Sequence, residues 1–213
     1  MKIAISRMHY PVTSLGPGKR VGLWFQGCSI RCEGCISTDT WALGQNEVDV
    51  YEVFELLDKW LPKSDAITIT GGEPFDQPDQ LQKILAHCKS YDHLTTFVFS
   101  GYSLERLAMI LKSMDGLIDL LMADPLDISK SQKKSLRGSD NQRLVSFSEK
   151  GASEIRQIER QSMENNSLNF SFDGETAWFA GVPRRGDISR VVQKIQEKGI
   201  EAHSVEDKKA LYD

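Results

Sequence analysis

The chain has 213 residues, 40% of them hydrophobic and 26% charged, with a formal net charge of −4. That length suits one domain, or one domain with a small appendage. The mildly acidic balance argues against broad binding to nucleic acid or anionic membranes. The longest apolar runs, such as 117–123, fall far short of the roughly 20 residues needed to span a bilayer. Residues 1–7 set a charge at either end of a very short apolar patch, unlike a secretory leader, so a cytoplasmic protein is expected.

Residues 21–26 read as a strand running into a loop with Cys28, Cys32 and Cys35. Residues 48–61 carry Val50, Val53, Phe54, Leu57 and Leu61 at helical spacing, with Pro62 just beyond. A β-branched run over 66–70 ends at Gly71-Gly72. The amphipathic pattern over 78–88 predicts a helix, and Cys88 within it is expected to be a buried structural thiol. A strand over 94–100 ends at Gly101, and Ser103 caps a helix reaching 112. Residues 117–122 form the next strand, a polar stretch fills 127–141, and 143–147 read as a short strand. Beyond these come a helix over 152–164, a hairpin of 168–172 and 175–180 around Asp173-Gly174, and a helix over 187–198 stopped by Gly199.

Strands separated by helices imply βαβ units and a parallel sheet with right-handed crossovers. The expected fold is α/β, an open partial (β/α) barrel of parallel strands, because the units are too few to close an eightfold one. A boundary near 149–151 divides a core of residues 1–149 from a small C-terminal α+β extension, 150–213, with the character of a lid, a substrate platform or a dimer contact. Parallel α/β folds bind ligands at the carboxyl ends of their strands. The cysteine loop, Gly71-Gly72-Glu73-Pro74 and Ser100-Gly101-Tyr102 all fall at such ends.

The three clustered cysteines stand in a C-x3-C-x2-C spacing, which fits a metal site in a reducing compartment better than a disulfide framework. A closed [4Fe–4S] site uses four cysteines, and a structural zinc site four ligands. His9 is the nearest histidine and no second cysteine pair exists, so zinc is the weaker reading. A cluster held by three thiolates keeps one iron open. The paired glycines after a strand allow close backbone approach by a ligand, and Glu73 offers a carboxylate to a cationic amine.

Taken in order, several segments carry a resemblance over residues 1–147: Gly16-Pro17-Gly18-Lys19-Arg20, the cysteine loop with Thr40-Trp41, Gly71-Gly72-Glu73-Pro74, Ser100-Gly101-Tyr102, and Arg137-Gly138-Ser139-Asp140-Asn141-Gln142-Arg143. The chain resembles the radical S-adenosylmethionine enzymes and, among them, the activating enzymes of anaerobic ribonucleotide reductase. The resemblance implies that Cys28, Cys32 and Cys35 hold a [4Fe–4S] cluster whose open iron takes the amino acid end of S-adenosylmethionine. It implies that Gly71, Gly72 and Glu73 line the methionyl amine, that Ser100 and Asn141 hydrogen-bond the cofactor, and that Arg143 pairs with its carboxylate. One electron, from a donor of the flavodoxin or ferredoxin type, then yields a 5′-deoxyadenosyl radical. In the reductase activators that radical takes hydrogen from a glycine on a large partner protein.

Trp41 is expected in the core, Arg31 in solvent and Arg184-Arg185 in an exposed turn. Ile36, Ser37 and Ala123-Asp124-Pro125 depart from the activators' pattern, and the chain continues for 66 residues past position 147. Those departures bear on the partner. Two rival readings are an enzyme of the same superfamily acting directly on a small molecule, nucleoside or peptide, and a non-catalytic iron–sulfur interaction module.

Overall fold

A computed structural model describes residues 1–172 and 176–204. Seven strands form the main sheet: β1 (Lys2–Val12), β2 (Arg20–Phe25), β3 (Glu47–Asp49), β4 (Ala66–Gly71), β5 (Thr95–Phe99), β6 (Leu120–Ala123) and β7 (Arg143–Ser146). Their order is β3-β1-β2-β4-β5-β6-β7. The adjacent strands β2, β4, β5 and β6 run parallel. β1 and β3 on one side and β7 on the other are antiparallel to their neighbours. The fold is therefore α/β, but its sheet is mixed where an all-parallel one was expected. The sequence reading missed β1 because its first half is not alternating: Ile3, Ala4 and Ile5 are all buried. β3 is a three-residue edge strand too short to leave a pattern.

The described residues form five helices: α1 (Val50–Trp60), α2 (Pro78–Cys88), α3 (Leu104–Ser113), α4 (Glu149–Glu159) and α5 (Asp187–Gln196). α1 starts where Asp49 and Glu52 form a reciprocal capping box, each side chain accepting from the other end of the first turn. Leu57 of α1 and Leu81, Ile84 and Leu85 of α2 bury completely against one face, with Ile67, Ile69, Val98 and Leu121. Cys88 lies in the same layer, fully buried, and burial pushes its thiol up to about 12.

The opposite face packs Phe97, Leu120, Met122 and Leu136 against Ile158 of α4. α4 begins three residues before the expected 152, because the Ser148 hydroxyl accepts from the Gly151 N–H. A Cβ on Gly151 would stand 2.1 Å from the Asp119 carbonyl oxygen, so only glycine lets this helix approach β6 so closely. α4 is also tied to β2 by a buried ion pair. The fully buried Arg20 guanidinium donates to Glu154 (2.9 Å), to the Thr68 hydroxyl (2.7 Å) and to the Pro17 carbonyl (2.8 Å).

A separate two-stranded sheet joins β8 (Asn169–Phe172) and β9 (Ala177–Ala180) antiparallel, as the hairpin pattern predicts. The expected Asp173-Gly174 turn lies outside the described residues. Among the described residues no helix is long and apolar enough to cross a membrane.

Candidate cluster and cofactor site

The parallel strands deliver their loops to one end of the sheet. β2 runs into Gly27 and Cys28. The Gly27 N–H bonds the Thr40 carbonyl (2.7 Å) and the Cys28 N–H the Trp41 carbonyl (3.3 Å), which closes the stem of the cysteine loop. Cys28 is buried, and Cys32 and Cys35 are half-buried. Burial raises the pKa of all three thiols, and for Cys35 the other two sulfurs add to the rise. An apolar pocket favours the protonated thiol until a cation supplies charge. Among the described residues no three His, Cys, Asp or Glu side chains converge at the spacing of a single ion. What the loop offers is three separate thiols, spaced apart rather than converging on one point.

β4 ends at the wall facing this loop. Gly71 has φ +106°, and a Cβ there would meet the Phe25 backbone nitrogen at 2.4 Å; at Gly72 it would meet the Gly27 carbonyl oxygen at 2.0 Å. No other residue fits either position, so the two loops press backbone to backbone. The Glu73 N–H closes the junction on the Gly27 carbonyl (2.8 Å).

The Glu73 side chain is 1% exposed. Its carboxylate accepts from the Phe75 N–H (3.0 Å), the Ser100 hydroxyl (2.9 Å) and the Gly101 N–H (2.8 Å). Burial nonetheless pushes it up to about 7, with the Asp76 charge adding to the rise. Asp76 pins the cysteine loop from below. It accepts from the Ser29 N–H (2.7 Å) and from the Tyr102 hydroxyl, whose ring stacks under the Arg106 guanidinium at 3.7 Å.

Cys28, Cys32, Cys35, Gly71, Gly72, Glu73 and Ser100 all line one cavity of about 1290 Å³. Asn141 and Arg143, expected to contact a cofactor, are not among the residues that line it. Arg143 instead holds two protein carboxylates, Asp124 (2.5 and 2.7 Å) and Glu105 (2.7 and 2.8 Å). Its planar fork is thereby satisfied on both sides. Asn141 donates to the Pro125 carbonyl (2.9 Å). From the same run, Gly138 and Gln142 reach the cavity, with the Gln142 side chain bridging the Gly138 N–H and the Asp124 carbonyl.

Trp41 is half-buried and lines the cavity. Arg31 is exposed, as expected, its Nε donating to the Cys28 carbonyl at 3.4 Å. Arg184 and Arg185 are exposed and Arg185 stands in a turn, as expected; Arg185 also donates to backbone carbonyls of the 127–138 loop. Arg7, Trp24, Leu126 and Ile128 also line the cavity, and the sequence reading had not singled them out. Only Trp24 left a signal, since alternation along β2 sets it opposite Leu23 and Phe25.

The cavity is roofed by residues from beyond position 167. Phe170, Phe172, Trp178 and Phe179 of the hairpin and Ile188, Val191, Val192 and Ile195 of α5 face into it. The hairpin is fastened to the β1–β2 turn. Asn169 accepts from the Thr13 and Ser14 N–H groups (2.8 and 3.0 Å), and the Ser14 hydroxyl donates to the Ala180 carbonyl (2.6 Å).

Several curated relatives align with the chain. It is 29% identical over 140 residues to a pyruvate formate-lyase-activating enzyme of Listeria monocytogenes, an alignment that takes in 62% of this chain and 56% of the relative. It is 34% identical over 132 residues to the enzyme of that name from Clostridium pasteurianum, covering 59% and 56%. It is 29% identical over 136 residues to the anaerobic ribonucleoside-triphosphate reductase-activating protein of Enterobacteria phage T4, covering 62% and 86%. The chain thus spans little more than half the length of the pyruvate formate-lyase activators it matches. A family described as a 4Fe-4S single cluster domain matches residues 14–145, a stretch that contains every cysteine and, Arg7 apart, the floor of the cavity. The chain belongs to this 4Fe-4S single cluster domain family.

Proposed function

We propose that the chain is a radical S-adenosylmethionine enzyme of the glycyl-radical-activating type, acting on a large partner protein. The observation that carries this reading is the meeting of three thiols with Gly71, Gly72 and Glu73 in one cavity. Cys28, Cys32 and Cys35 would hold the cluster, and Gly71, Gly72, Glu73 and Ser100 would receive the amino acid end of S-adenosylmethionine. Bound together, the two groups supply a carbon radical able to take a hydrogen atom from an unactivated C–H bond.

The chain's own residues prepare the place. The glycine junction brings backbone against the cysteine loop, Ser100 and Gly101 orient the Glu73 carboxylate, and the Asp76–Ser29–Tyr102 bonds fix the loop's outer turn. The apolar walls exclude water, which strengthens each electrostatic contact inside. The same reading takes the sheet as an open partial (β/α) barrel, divides the chain near residue 149 and supplies a flavodoxin- or ferredoxin-type electron donor. It places the protein in the cytoplasm, where thiols stay reduced.

Anaerobically reconstituted protein should bind about four irons, the complement of one cluster. On reduction with dithionite it should release 5′-deoxyadenosine, and Cys32→Ala should abolish that release. Full activity in Cys32→Ala would defeat the ligand assignment. Deuterium placed on the glycine Cα of a candidate glycyl-radical partner should appear in 5′-deoxyadenosine.

A second reading, direct action on a small molecule, nucleoside or peptide, is favoured by the roof, which narrows access to the cavity. Transfer of label from such a compound, and none from a protein glycine, would select it. No cleavage of S-adenosylmethionine at all would leave a non-catalytic iron–sulfur module.

A further inference from the structure

We propose that Arg185 is a positioning residue of the site: it latches α5 as an apolar roof over the cysteine loop and so limits the access of water to the cluster. This rests on the reading of the cavity as the cluster site. The latch is built from backbone. The Arg185 guanidinium donates to the carbonyls of Ile128 (2.8 Å), Lys130 (2.9 Å) and Gly138 (3.1 Å). Its own N–H donates to Gln132 Oε1 (3.1 Å), while Gln132 Nε2 donates to the Pro183 carbonyl (3.0 Å). A guanidinium with several fixed donors suits such a ring of carbonyls, which a single ammonium cannot span.

The loop that Arg185 grips also touches the cysteine loop. A Cβ on Gly34 would stand 2.5 Å from the Ile128 side chain, so Ile128 sits directly on the turn between Cys32 and Cys35. The 127–138 loop is therefore a shared wall, with the cysteine loop on one side and the start of α5 on the other. From that start, α5 carries Ile188, Val191, Val192 and Ile195 over the cavity. None of these four is fully buried, and α5 as a whole has no buried residue. Packing alone therefore holds the helix weakly. The charge-assisted bonds at its N-terminal end supply what packing does not.

The roof residues follow position 145, where the family match ends, so this arrangement is an addition to the common domain.

The test measures how fast a water-soluble ferrous chelator strips iron from the reduced, reconstituted full-length protein. Arg185→Gln should accelerate iron loss by about tenfold or more, since one charge-assisted hydrogen bond shifts an open–closed equilibrium by that order. Arg185→Lys should fall between the two, and Lys194→Gln, on the outer face of α5, should match the wild type. Equal rates for wild type and Arg185→Gln at equal iron content would overturn the proposal. Should Arg185→Gln fail to fold, hydrogen exchange of the wild type decides: α5 amides exchanging as fast as an open peptide would mean that no latch exists. The chelator reads the roof whatever chemistry lies beneath it. Normal protection without release of 5′-deoxyadenosine would defeat the radical reading and leave the latch standing.

Discussion

Glu73 concentrates the electrostatics of the site in one side chain. Three donors favour its charged form and complete burial opposes it, and burial prevails, pushing the carboxyl up to about 7 from an ordinary 4.5. A folded-state pKa above the unfolded one means that the fold retains a proton which the unfolded chain has already lost. The contribution of Glu73 to stability is therefore most favourable below pH 4.5 and falls as pH rises towards 7. The loss across that window amounts to about 3 kcal/mol. In cluster-free protein, Glu73→Gln should flatten the pH dependence of urea stability between pH 5 and 8 by roughly that amount. An unchanged slope would show that the carboxyl titrates normally. The same burial suits a site for a cationic amine, whose charge would draw the proton off. Gly71 and Gly72 were legible from sequence for a simple reason: a turn pressed against neighbouring backbone admits no side chain.

At the scale of elements, apolar spacing recovered the helices and the Ser103 cap fixed one of their starts. Asp49 and Ser148 likewise accept from the first turn of the helix that follows, but neither cap was read from the sequence. α4 shows the limit of that approach. Its apolar stripe was readable, but its anchor is ionic, an arginine 134 positions earlier in the chain. Arg20 is fully enclosed and the Glu154 side chain is 11% exposed. Glu154→Ala would leave the guanidinium buried without its counter-charge and should cost about 3–5 kcal/mol in chemical denaturation. Glu154→Gln, which keeps an acceptor for Arg20, should cost less. A loss below about 1 kcal/mol for the alanine variant would mean that water reaches Arg20 and replaces the carboxylate. Arg143 makes the converse point. Its position in a motif suggested a ligand contact, yet Asp124 and Glu105 already satisfy it, and neither lies near it in sequence.

Across the whole molecule, one end of the sheet is occupied by chemistry and the rest by core. Apart from Arg7, the floor of the cavity comes from residues within the 14–145 family match, and its roof from residues beyond. The two parts differ in how they are held, the floor by a continuous buried core and α5 by hydrogen bonds over half-exposed apolar side chains. Removing residues 187–213 should therefore leave the sheet folded, with a thermal midpoint lowered by only a few degrees. Collapse of the melting transition would show that α5 belongs to the core after all.

The sequence by itself determined the three-cysteine loop, the glycine–glutamate wall, the helices and the alternating α/β order. Each of these depends on residue types at short spacing, where local geometry leaves few choices. Tertiary structure decided what depends on distant partners: the antiparallel edges of the sheet, the withdrawal of Asn141 and Arg143 from the cavity, the Arg20–Glu154 tie and the Arg185 latch. A charged side chain takes whichever partner the fold brings within reach, and no local pattern records that choice.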